Sequence, residues 1–188
     1  MKSIILLTVI SFLNLGFIHA QSPLELEVVK RLNIYRKKHR LGSVVYDAEI
    51  SKVALYHANY IKQCSSLGHF VHMDKMPHDE QFDLKDFKEL NFEQRAEMFP
   101  DKNIYGEITI PSMDARKNES IESIAKNIIL SFDGSPKHKE IMLSEDASPK
   151  FIDLVGVSVI KSVKDKDSKL EEYIVNIDFG FKEKSLKY

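Results

Sequence analysis

Seven histidines, one cysteine and a carboxylate set inside an apolar strand pattern are the residues of this 188-residue sequence best suited to chemistry. The carboxylate is Glu107, in the run Asn103-Ile104-Tyr105-Gly106-Glu107-Ile108-Thr109-Ile110. A charge at such a position either faces solvent or needs a partner, because burial without one is costly. A histidine would serve as that partner. His69, His72 and His78 lie in an irregular stretch over 65–102, and His138 follows Pro136 at a helix start. Two imidazoles and a carboxylate can hold zinc or act as general bases toward water. Nothing like His-Glu-x-x-His occurs, so local spacing does not define a metal site. His57 falls on the apolar face of a helix, where it reads as a core histidine that must find a hydrogen-bond partner. Arg36 and Arg95 read as ion-pairing or cleft-capping groups, with ordinary surface pairs, which contribute little, as the bland alternative. Cys64 stands alone and can form no intramolecular disulfide. Without an activating Cys/His pattern it reads as an inert thiol.

The elements that must position these groups follow from hydrophobic periodicity. Residues 23–39 have helical spacing at Leu26, Val29, Leu32, Ile34 and Tyr35, with Ser22 as N-cap and Pro23 in the first turn. Gly42 ends that segment, and Ser43-Val44-Val45-Tyr46 is a short extended link. Asp47 caps a second helix over 47–64, with Ile50, Val53, Ala54, His57, Ala58 and Ile61 on one face. Residues 65–102 are mostly irregular, with one short helix near 84–98; such long segments are often functional. A strand over 103–110 precedes a helix capped by Ser120, whose stripe is Ile121, Ile124, Ala125, Ile128 and Phe132. Pro136 opens a short helix through Leu143. Two strands close the pattern, joined by a hairpin loop over 164–170. This order predicts an α+β fold with helices covering an antiparallel sheet.

The first twenty residues have a positive start at Lys2, an apolar run from Ile4 to Phe17 and a small residue, Ala20. That is the layout of a secretory signal peptide, too short for a spanning helix. No cysteine follows closely, so no lipoprotein anchor is expected. The remainder, 21–188, is the size of one domain, and the localisation expected is secreted or periplasmic. Lysine plus arginine total 27 against 28 acidic residues. That balance gives no footprint for nucleic acid or an anionic membrane.

Asn33 and Arg36 on the first helix, Tyr46-Asp47 in the link, and Ala54, His57 and Ala58 on the second helix resemble the opening of bacterial CAP-superfamily domains (cysteine-rich secretory, antigen and pathogenesis-related proteins). His78-Asp79-Glu80, Arg95, Gly106-Glu107, Ser135-Pro136-Lys137-His138, Leu154-Val155-Gly156-Val157 and Asn176-Ile177-Asp178-Phe179-Gly180 continue the likeness in order. The sequence departs from the pattern at Ile108, where Asn is usual, and has no Trp. The resemblance implies a three-layer α-β-α sandwich with a polar cleft lined by His78, Glu107 and His138, with Glu122 as the candidate for a second acidic residue. His69 and His72 compete with His78, which is preferred for the acidic residue two positions on and for Arg95 seventeen residues later. It further implies an exported binding or interaction module at the cell envelope or outside the cell, taking a small molecule, lipid or envelope component. The enzymatic alternative is a metal-dependent hydrolase with zinc or another divalent cation on His78 and His138, and Glu107 as base or third ligand. A third reading makes 65–102 the contact surface for a protein partner.

Overall fold

The structure, a computed structural model, describes residues 21–66, 91–97, 103–144, 152–162 and 167–181. Its elements in chain order are helix α1 (Pro23–Lys38), strand β1 (Val45–Tyr46), helices α2 (Ala48–Ser66) and α3 (Phe92–Glu97), strand β2 (Asn103–Arg116), helices α4 (Ile121–Asp133) and α5 (Pro136–Leu143), and strands β3 (Leu154–Ser162) and β4 (Leu170–Phe181).

Local chemistry sets the helix starts. Ser22 Oγ accepts from the Glu25 N–H, and Glu25 Oε2 accepts from the Ser22 N–H, a closed capping box with Pro23 in the first turn. Asp47 Oδ1 accepts from the N–H groups of Glu49 and Ile50, and Ser120 caps α4 through the Ser123 N–H. A second box, Asn91 with Gln94, starts α3 and places its first residue at 92.

The sheet order is β1-β3-β4-β2. The three long strands pair antiparallel, as expected, and β4 is the central one. The link over 43–46 adds a two-residue parallel pairing to β3, so the sheet is mixed. Pro111 lies between the paired residues Ile110 and Met113, where the β2 register shifts. Proline lacks a ladder donor and is tolerated there because β2 is an edge strand.

The period of two in β4 divides the molecule. Tyr173, Val175, Ile177 and Phe179 join Ile108, Val155 and Val157 in the main apolar cluster. Helices α1, α4 and α5 cover that face with Val28, Leu32, Ile128, Phe132 and Met142. Each such side chain contributes about 1.5–3 kcal/mol of burial. The opposite face carries Ile174, Asn176, Asp178 and Gly180 and is covered by α2. Its apolar cluster is small, formed by Ala58, Tyr60 and Ile61 of α2 with Ile174. The result is helices, sheet, helices: an α+β sandwich in three layers.

The second layer sits very close. A Cβ at Gly156 would lie 2.3 Å from the Ile50 carbonyl carbon and 2.4 Å from the Ser51 nitrogen, so α2 rests its backbone directly on β3. That approach also seals an edge. Beyond the pairing with β1, the Val157 N–H is taken by Ser51 Oγ at 3.0 Å and the Val159 N–H by Glu25 Oε1 at 3.1 Å. Two helix side chains thus occupy donors that would otherwise invite another strand.

Candidate functional site

Polar residues on the α2-facing side of the sheet are placed by strand parity. Glu107 and Thr109 of β2 stand opposite Asp178 and Asn176 of β4, and Gly156 and Ser158 of β3 continue the two rows. Asn176, Asp178 and Ser158 are fully buried and Thr109 nearly so. Arg95 reaches this layer from α3 and His57 from α2.

Glu107 is the centre. Arg95 Nη2 lies 2.7 Å from both carboxylate oxygens, and the Arg95 side chain is 6% exposed. His57 Nδ1 stands 2.9 Å from Oε2. Asn176 Nδ2 donates to the same oxygen at 3.2 Å and to Asp178 Oδ2 at 3.3 Å, while the Thr109 hydroxyl donates to Asn176 Oδ1. A network closed in this way holds its members in one geometry.

The two carboxyls of the cluster titrate in opposite directions. Burial works to raise Glu107, but the adjacent His57 ring and the Arg95 guanidinium outweigh it and bring the group to about 2. For Asp178, burial is the largest influence and the neighbouring Glu107 charge adds to it, so its carboxyl is raised well above the usual range despite Arg95. Asp178 Oδ1 has no hydrogen-bond partner among the described residues. The two carboxyls are thus pulled apart, Glu107 toward the ionised form and Asp178 toward the protonated one.

His138 lies elsewhere. It sits half-buried in α5 with its ring edge-on to Phe132 of α4, centroids 5.4 Å apart, and burial lowers its pKa. A Cβ on Gly106 would face Ile141 of α5 at 3.1 Å. The Glu107 side chain, one residue on, leaves by the other face. Glu107 and His138 thus belong to different layers. Glu122 is exposed in the first turn of α4, the layer that covers the apolar face. His69, His72 and His78 lie outside the described residues, as does the side chain of Cys64. Of the candidates drawn from sequence, Glu107 is thus joined by Arg95 and His57 and not by His138 or Glu122.

A divalent cation does not fit at Glu107. Both oxygens already face a guanidinium at 2.7 Å, and a metal there would meet that positive charge. Among the described residues no three His, Cys, Asp or Glu side chains form a metal-holding group.

Asn33 and Arg36 act as fasteners. Asn33 exchanges two hydrogen bonds with the Val44 backbone. Arg36, fully buried, donates to the carbonyls of Gly42 and Met142 at 2.9 and 2.6 Å. Sequence reasoning missed Asn176, Asp178 and Thr109 as members of the cluster. The signal was available: Asn176 and Asp178 are two residues apart in a strand whose alternate positions from Tyr173 to Phe181 are all apolar.

No family model matches the chain, and no curated protein matches it in sequence. Among solved structures, an outer surface protein from Borrelia burgdorferi is similar at 17% identity and a TM-score of 0.47, over 87% of this chain and 96% of that one.

Proposed function

We propose that this chain is an exported domain of the CAP type that works as a binding or interaction module at the cell envelope or outside the cell. The observation that supports a non-catalytic role is the state of Glu107. Its two oxygens are taken by Arg95 and its remaining approach by His57 and Asn176. A carboxylate so held neither accepts a proton near neutral pH nor opens toward a substrate; it fastens α2 and α3 to the sheet. Export rests on the leader-like residues 1–20. Among the described residues no helix is long and apolar enough to cross a membrane.

Two measurements test this. Mass spectrometry of protein recovered from outside the cytoplasm is expected to give a chain starting near Gln21; recovery only from the cytoplasm, with Met1 retained, overturns export. Calorimetric titration of zinc into chelator-treated protein is expected to give no stoichiometric heat. Stoichiometric binding lost in both His78→Ala and His138→Ala would instead establish the metal-dependent reading.

A further inference from the structure

The near-zero total charge of the chain conceals a strong local imbalance. From residue 21 to residue 46 there are six basic side chains and two carboxylates, in a chain whose net charge is −1; with Arg36 buried, five of the six basic groups lie at the surface. Both carboxylates are withdrawn: Glu25 is 1% exposed and serves the α1 cap and the β3 edge, while Glu27 is 12% exposed and holds Lys30 and Arg31. Lys37, Lys38 and Arg40 remain exposed at the end of α1.

Apolar side chains share this face. Leu26 is 53% exposed and Ile34 43%. With Lys30 and Lys37 they form one stripe at i, i+4, i+8 and i+11, alternating aliphatic and cationic. The stripe borders an open trough of about 460 Å³ between α1 and the 43–46 link.

We propose that this face of α1 docks the protein on an anionic lipid surface. Leu26 and Ile34 would enter the headgroup–acyl boundary while the lysines, on long flexible stems, stay level with the phosphates. Charge complementarity favours an acidic partner, and the interleaved Leu and Ile favour lipid over an acidic polymer, which would leave both aliphatic groups in water. The inference rests on the exported reading for its biological setting, but the surface can be tested apart from it.

The test is sedimentation of the processed protein, its N-terminus checked by mass, with vesicles of phosphatidylcholine alone or mixed with phosphatidylglycerol. Pelleting is expected with the mixed vesicles only, and should weaken as salt rises. Lys30→Gln with Lys37→Gln is expected to weaken binding roughly 25-fold, about fivefold per basic side chain. Leu26→Ser with Ile34→Ser should abolish pelleting while leaving the circular dichroism spectrum unchanged, since both side chains are exposed. Absence of pelleting with mixed vesicles overturns the proposal. So does equal pelleting with both vesicle types, or wild-type binding in both variants. The N-terminal mass reports separately on export.

Discussion

Replacing Glu107 by Gln isolates the contribution of the buried cluster. Folding moves this carboxyl from 4.5 to about 2. A pKa lowered on folding contributes stability that is fully present above the unfolded value and is lost as pH falls through the folded one. At about 1.36 kcal/mol per pH unit, the contribution is about 3 kcal/mol at neutral pH, disappearing between 4.5 and about 2. The Glu107 side chain is only 12% exposed, so solvent screening takes little from this. In Glu107→Gln the guanidinium of Arg95 stays buried opposite a neutral amide, and the loss at neutral pH should be of the same order, about 3 kcal/mol. Urea unfolding of both proteins from neutral pH down to about pH 3 gives the readout. With a slope of roughly 2 kcal/mol per molar urea for a domain of this size, the midpoints should differ by roughly 1.5 M at neutral pH. They should draw together as pH falls below 4.5, to roughly half that difference by about pH 3, and would meet only below about 2, where Glu107 is protonated and resembles Gln. Carboxyls away from the cluster shape the acid limb of both proteins alike, so the difference curve reports on Glu107 together with Asp178, whose raised pKa depends in part on the Glu107 charge. Parallel curves would refute the reasoning, because they would mean that Glu107 titrates no differently in the folded and unfolded chains.

Asp178→Asn should act with the opposite sign. The Asp178 carboxyl is raised on folding, so its cost to the fold grows as pH rises through the folded value; the Asn variant should gain on wild type in melting temperature from acid to neutral pH, and a widening deficit would contradict the assignment. Gly156→Ala forces a methyl group against the α2 backbone at 2.3 Å and should cost about 3 kcal/mol, the upper end of overpacking; an unchanged melting temperature would mean that α2 does not rest on the strand.

The sequence was most readable where periodicity and capping agreed. Ser22, Asp47, Ser120 and Pro136 marked helix starts that the structure places within a residue. The alternation in residues 171–181 identified β4. The strand at 103 runs on to Arg116, beyond the expected end at 110, because a proline that reads as a stop is accommodated on an edge strand by a register shift. The site was legible only in part. Glu107 announced its need for a partner, yet the partner is His57, which the helical pattern marked as a core residue, together with Arg95. Strand parity brings Asn176 to Glu107 from 69 residues away, with Asp178 two positions further on, and only the β2–β4 register shows which residues face each other. His138 lay beyond such reasoning, since periodicity does not say which face of the sheet a short helix will cover. The basic face of α1 escaped the total charge for a simpler reason: a sum over the chain erases where its terms lie.

The position of β4 in the sheet bears on the order of assembly. It is the central strand, hydrogen-bonded to both β2 and β3, yet it comes after both along the chain. Until residues 170–181 have been made, neither earlier strand has its long neighbour, and the polar residues of β2 have no Asn176 or Asp178 to meet. Synthesis from the N-terminus therefore yields helices before it can yield a sheet, and the long-range pairing must wait. A chain built in this order stays threadable through a narrow channel for most of its length, and the fold closes only when its middle strand arrives.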